Sequence, residues 1–313
     1  MGTGEIALPS FRMLVGDGSL VGLVTQPDRP VGRSSQARPP RIKELALEAD
    51  LPVLQPERLR SKEAFAELVA LEPDLIVVMA YGQILPRAVL ELPAHGCINV
   101  HASLLPRHRG ASCIQAAIES GDTQSGVSII VMDEGLDTGD VITRHAIPLR
   151  GNETGGSLHD RLAEIAPGPL AESVMMISGG EVRRERQDDG LATYAPKLER
   201  GDGELDWALP AEQLERRIRA HDPWPGSFTA YHDGRGRKRR LKVFPGGEVL
   251  LDEGLGKAGE LHSVSSSGIV VACGKGGLRL GEVQAEGGKR LPVGEFLRGQ
   301  SLGEGDCFFS LAR

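Results

Sequence analysis

Asn99 and His101 stand two residues apart in Cys97-Ile-Asn-Val-His101, and Asp137 follows in the turn Gly135-Leu-Asp-Thr-Gly139. In an extended chain, residues two apart point the same way. The pair therefore presents an amide and an imidazole together at the C-terminal end of a strand, where open α/β sheets place their ligands. Asp137 adds a carboxylate at the end of a neighbouring strand. Acyl transfer to an amine needs such a set. The oxyanion on the attacked carbonyl needs donors, which the Asn99 amide and a protonated His101 supply. The amine must lose a proton and the leaving nitrogen must gain one, and an imidazole whose pKa is held up by Asp137 does part of that shuttling. The same residues also read as strand-end polar groups bonding nearby backbone, with Asp137 a turn former. Spacing alone does not separate the two. No serine or cysteine nucleophile competes: Ser103 lies in a proline-bounded loop without a glycine elbow, and Cys113 reads as helix core.

The elements that must position these residues follow from periodicity. Residues 21–25, 51–54, 75–80, 97–101 and 127–132 read as short apolar strands, and 75–80 as one buried on both faces. Residues 41–49, 61–69 and 113–120 have helical spacing, with Ser61 as a cap. This alternation implies α/β architecture, a Rossmann-like parallel sheet with helices on both sides. Pro167 and Pro169 fall in a segment otherwise helical over 157–177, which predicts a kink or break there. The expected catalytic domain spans 1–178. A polar, glycine-rich linker covers 179–206. Residues 207–313 then form a small β-barrel domain of the oligonucleotide-binding (OB-like) kind: one helix over 211–220, then short strands at 228–231, 241–244, 268–272 and 278–280 separated by glycines.

Composition narrows the function classes. The 313 residues are 40% hydrophobic, 25% charged and only 4% aromatic, as in an ordinary globular protein with an aliphatic core. The apolar run 75–80 is far too short to span a bilayer. No signal peptide pattern is visible, so no membrane partner is expected. The four cysteines are scattered without ligand spacing, so neither a zinc site nor a disulfide framework is expected, and a reducing, cytoplasmic location is. Nothing demands an oligomer, so a monomer is expected. The net charge of -7 argues against a protein that coats itself with nucleic acid, yet two basic stretches stand out. One holds Arg29, Arg33, Arg38, Arg41 and Lys43; the other holds Arg235, Arg237, Lys238, Arg239 and Arg240. Gly2-Thr-Gly4-Glu-Ile-Ala7 matches a dinucleotide fingerprint, but no strand precedes it, so NAD is not expected.

Taken together, Asn99-Val-His101-x-Ser103-Leu-Leu-Pro106, then Arg109-Gly110, then Gly135-Leu-Asp137-Thr-Gly139 resembles the signature of the folate-dependent formyltransferases. Thr25-Gln-Pro-Asp-Arg-Pro30 with Gly32-Arg33 is similar to a loop insertion of the branch that acts on methionyl initiator tRNA. Ala80-Tyr-Gly-x-Ile-Leu-Pro86 and His221-Asp-Pro-Trp-Pro-Gly226 are similar to two further family segments. The resemblance covers both domains. It implies formyl transfer from 10-formyltetrahydrofolate, a reduced folate, to methionyl initiator tRNA, with no metal and no NAD. It places Asn99, His101 and Asp137 as the catalytic set. It gives Ser103, Leu104, Leu105 and Pro106 to the folate. The main chain around Tyr81, Gly82, Ile84 and Leu85, with the turn 133–137, would line the pterin pocket. The loop 28–41 would enter the acceptor stem, with Arg33 the foremost contact beside Arg29, Arg38 and Arg41. Arg237, Lys238 and Arg239 would lie along the outside of the tRNA.

Three alternatives stay open on the residues: a formyltransferase for another amine, a formyl-folate hydrolase, and a non-catalytic RNA-binding protein on the same scaffold. The basic stretches count against the first two and the intact catalytic set against the third. One departure from the family is evident. Its members carry a short apolar strand before the Gly-Thr-Gly turn, whereas this chain begins at the turn. The expectation is that the flanking strands lack a shared partner. Either the start is assigned too late or the chain is truncated: in-frame codons for such a strand just upstream would mark a misassigned start, and an immediate upstream stop codon would rule it out.

Overall fold

The computed structural model describes residues 1–30, 37–252 and 254–311. The chain divides into two compact units. Met1–Cys113, Gln124–Ile147 and His159–Ala195 make the first; Ile114–Thr123, Pro148–Leu158 and Pro196–Arg313 make the second. The stretch expected as a linker is thus shared between them at Ala195 and Pro196, and two short segments from within the expected first domain go with the second unit.

In the first unit Leu23–Val24 pairs in parallel with Val53–Leu54, and Ile76–Val78 pairs in parallel with Cys97–His101, Val78 lying beside Asn99. The next strand, Gln124–Val131, runs antiparallel to Cys97–His101 and sets Ser128 opposite His101. Val141–Pro148 forms the outer edge of that sheet. The apolar runs are buried as their composition dictates: Ile76, Val78, Ile98, Val100, Ile129 and Ile130 are all closed to solvent. The helix Lys62–Val69 begins where expected, the Ser61 hydroxyl accepting from Ala64 N at 3.1 Å, a cap worth about 1 kcal/mol. The helical segment with two prolines does break. One helix, Gly155–Ile165, ends and another, Pro167–Ser178, starts with its proline in the first turn, where the missing N–H has no helical partner to lose.

Between Leu23–Val24 and Ile76–Val78 lies a gap. Met1 and Gly2 bridge one end of it. Gly2 N donates to Val24 O, Met79 N donates to Met1 O, and the terminal ammonium donates to Val77 O at 2.6 Å. Burial pulls that ammonium down to about 5. The rest of the gap is a largely apolar cavity of about 110 Å³ whose walls include Phe11, Leu14, Leu23, Ile42 and Ile76.

The second unit holds two four-stranded antiparallel sheets. One orders Leu291–Pro292, Glu282–Ala285, Lys238–Val243 and Ser227–His232; the other orders Glu248–Leu250, Gly277–Leu280, Gly268–Ala272 and Leu261–Ser265. Their inner faces share one core with the helix Ala211–Ala220, which contributes Leu214 and Ile218 to Leu241, Leu261, Val271 and Leu278. All four cysteines are unpaired. Cys97, Cys113 and Cys273 are buried and Cys307 is exposed.

Candidate active site

Asn99 and His101 sit where the periodicity put them, on one face at the end of Cys97–His101. Asp137 reaches them from a strained turn. The Asp133 carboxylate accepts from Gly135 N at 3.0 Å and from the Thr138 hydroxyl at 2.7 Å, closing a small loop. Gly139 is needed because a Cβ there would lie 1.7 Å from Val131 O. Asp137 itself has φ +54°. A non-glycine residue in this left-handed region costs roughly 1–3 kcal/mol and persists only where its surroundings over-determine it.

The surroundings do. Asp137 Oδ1 accepts from Asn99 Nδ2 at 3.1 Å. Oδ2 accepts from Gly110 N at 2.8 Å and lies 3.6 Å from His101 Nδ1. On its far side, His101 Nε2 lies 3.0 Å from the His108 carbonyl. His101 is only 6% exposed. Burial works against its charge, but Cys113, the Asp137 carboxylate and the His108 carbonyl favour it, and the balance raises the imidazole to about 9. At neutral pH it is a cation with an acceptor facing each nitrogen. The Asn99 amide has a second N–H beyond the one given to Asp137. A free amide N–H and an imidazolium thus stand beside a fixed carboxylate, and donors of this kind stabilise an oxyanion.

The loop after His101 is tied down by polar groups of its own. The Ser103 hydroxyl donates to Arg107 O at 2.7 Å. The Ser128 hydroxyl donates to Ser103 O and accepts from Leu105 N, and Arg144 Nε donates to Leu105 O. Ser103 and Leu105 are buried. Tyr81 to Leu85 follow the end of the adjacent strand, so both expected folate segments flank the same edge of the sheet. Tyr81 O accepts from Gln26 Nε2 at 3.0 Å. The Tyr81 hydroxyl is buried without a hydrogen-bond partner among the described residues, and burial raises it to about 12. Leu85 is buried, whereas Ile84 is 90% exposed and Leu136, beside Asp137, is 61% exposed. No group of three metal-ligating side chains occurs among the described residues.

The basic residues fall in two stretches. Arg29 pairs across from Arg38 in a short antiparallel ladder, both exposed, and Arg41 opens the helix Arg41–Glu48. Arg33 falls outside the described residues. Lys43 is ion-paired with Asp28 at 2.9 Å. In the second unit, Arg237 and Arg239 face Asp233 at 2.8 and 3.5 Å, while Lys238 Nζ donates to Leu311 O at 2.6 Å.

Sequence reasoning assigned no role to Gly110, Arg109 or Ser128. The first is legible afterwards. Gly110 has φ +112°, and a Cβ would lie 2.5 Å from Ala195 O, so only glycine lets its N–H reach Asp137. Arg109 is 1% exposed and places its guanidinium on Gln187 Oε1 and Asp189 Oδ1. No spacing rule finds that contact.

Residues 10–174 match the formyl transferase family, and residues 197–301 match the formyl transferase C-terminal domain. The methionyl-tRNA formyltransferase of Akkermansia muciniphila is 52% identical over 299 residues, covering 96% of this chain and 95% of that protein. That of Geobacter sulfurreducens is 45% identical over 306 residues, covering 97% and 94%. Among solved structures, the N-formyltransferase from Helicobacter canadensis superposes with a TM-score of 0.62 at 14% identity, covering 93% of this chain and 97% of that one. A sugar 3N-formyl transferase superposes with a TM-score of 0.63 at 15% identity, covering 89% and 94%. At such identities these structures speak for the fold.

Proposed function

The chain belongs to the methionyl-tRNA formyltransferase family, and from that premise we propose that Asn99, His101 and Asp137 move the formyl group of 10-formyltetrahydrofolate onto the free amino group of methionyl initiator tRNA. The observation that carries the assignment is the shared Asp137 carboxylate, which takes the Asn99 and Gly110 amides on its two oxygens and faces His101. In the transfer a C–N bond forms to the amine and the bond from the formyl carbon to the folate nitrogen breaks. One proton leaves the amine and one is delivered to the folate. The second Asn99 N–H and the His101 imidazolium stabilise the oxyanion on the formyl oxygen. Charged at neutral pH, His101 acts as a donor and has a proton for the departing nitrogen. Asp137 orients both and balances the imidazolium.

Ser103 to Pro106 and Tyr81 to Leu85 hold the folate, with the turn 133–137 beside them. The fit is supported by the buried, unpartnered Tyr81 hydroxyl and by the apolar side chains of Ile84 and Leu136 left open on that rim. Arg29, Arg33, Arg38 and Arg41, with Arg237, Lys238 and Arg239, meet tRNA phosphates, supplying affinity and position but no base reading. A cytoplasmic location and action as a monomer belong to the same proposal. No helix among the described residues is long and apolar enough to cross a membrane.

The test is a transfer assay with 10-formyltetrahydrofolate and methionyl initiator tRNA, reading acid-stable formyl-methionine. Transfer that depends on the tRNA supports the assignment. A folded protein that releases formate without tRNA, or formylates an amino-sugar nucleotide instead, overturns it.

A further inference from the structure

We propose that Gln187 is a positioning residue for the transfer: it fixes the Asp137 carboxylate by gripping the backbone of the turn that carries it. Gln187 lies in a polar stretch without periodicity, yet it is only 6% exposed and every hydrogen-bonding position of its side chain is used. Oε1 accepts from Arg109 Nε at 3.0 Å and Nη2 at 2.9 Å. Nε2 donates to Asp137 O at 2.8 Å and to Gly139 O at 2.7 Å. A guanidinium has donors only, so Oε1 must face Arg109 and the NH₂ must face the two carbonyls. The orientation of the carboxamide is therefore fixed by chemistry.

Arg109 is itself bonded at both ends. Its guanidinium also donates to Asp189 Oδ1 at 2.8 Å, and its backbone N and O bond Thr193 O and Ala195 N. The next residue supplies the Gly110 N–H to Asp137 Oδ2. Arg109-Gly110 thus reaches Asp137 by two routes, through Gln187 to its carbonyl and through Gly110 to its carboxylate. This accounts for the φ of +54° at Asp137. A residue held in the left-handed region relaxes once one of its restraints is removed, and relaxation there turns the carboxylate away from Asn99 and His101.

This inference rests on the reading of Asp137 as catalytic, so wild type and Asp137→Asn are measured alongside two variants. Gln187→Glu keeps the Arg109 contact but loses both donors and sets an anion against two carbonyls. Gln187→Met keeps the volume without hydrogen bonds. The expected result for each is a kcat lower by about 10- to 100-fold, the scale of a small misplacement of a reacting group, with KM for both substrates within about threefold. The groups facing His101 are Asp137, Cys113 and the His108 carbonyl. Withdrawing Asp137 weakens the charged imidazole, so the alkaline fall of kcat moves to lower pH, which a purely structural role would not produce. Should Gln187→Met fail to fold, Gln187→Glu decides. A folded variant with wild-type kcat overturns the inference, as does a change confined to KM, or the loss of the fold in both variants. If Asp137→Asn itself retains turnover, the catalytic reading of Asp137 has failed; if it loses turnover while the Gln187 variants do not, only the positioning role has.

Discussion

Two aspartates each organise a polar cluster, one in each unit. Asp137 in the first unit and Asp233 in the second are almost equally covered, with side chains 14% and 13% exposed. Their partners differ. Asp137 accepts from two uncharged amides, those of Asn99 and Gly110, so its charge remains available to the one ionisable ring beside it. Asp233 accepts from Arg235 N and Arg237 N and from the Arg237 guanidinium. The Arg237 hydrogen bonds, side chain first, hold its carboxyl well below the usual range. Its cations are half in solvent, Arg237 being 55% and Arg239 42% exposed. Exposed pairs of this kind are screened by solvent and contribute little to stability. Burial of the carboxylate therefore does not distinguish a reaction centre from a shaped surface. The charge state and exposure of what it touches do.

The largest effect that could break this contrast is at Asp137. Asp137→Asn should lower turnover by roughly 10⁴-fold in a protein that still folds. Near-normal turnover would place Asp137 with Asp233 as a shape-holding group. Asn99→Ala comes next. Removing one oxyanion donor should cost about 10²-fold in kcat, with folate KM nearly constant; a loss confined to KM would make Asn99 a binding group.

The pH profile gives a smaller effect with a definite sign. The folded pKa of His101 is raised to about 9. Its charged form is complete at neutral pH, and kcat should fall about tenfold per pH unit above about 9. The same linkage makes its contribution to stability full below the unfolded value, about 6.5, and lost as pH rises through about 9. Flat kcat through pH 10 would deny the imidazolium its role. Smallest are the hairpin variants. Arg237→Ala should raise the KM for tRNA a few-fold and lower the salt slope of binding by about one, leaving folate KM alone. Asp233→Asn should leave kcat unchanged. Loss of kcat there would erase the distinction between the two aspartates.

How far the sequence carries differs along the chain. Asn99 and His101 were legible because the two-residue period of a strand is local, and the break before Pro167 because proline chemistry is local. The antiparallel course of Gln124–Val131 was not. Its apolar pattern reports burial, whereas direction is set by how the connection returns. The division into units was also partly hidden. Ile114–Thr123 and Pro148–Leu158 look in sequence like parts of the α/β unit and pack with the second. Gln187 was invisible for a similar reason. Its partners Arg109 and Asp137 are distant in the chain, and nothing in a polar, aperiodic stretch marks the one side chain that turns inward. Asp233 is an opposite case: the arginines around it announce a charged hairpin, but only coordinates show one carboxylate shaping its tip.

The cysteines offer a practical handle. Cys97 and Cys273 are buried, and burial pushes both thiols up to about 12. Cys113 is buried too, while Cys307 stands open in the second unit, bridged to Glu260. A maleimide fluorophore added to the native chain at neutral pH should therefore attach at a single position. Each molecule would then carry one dye on the second unit, and its emission or anisotropy could follow the arrival of an RNA in real time without any engineered label.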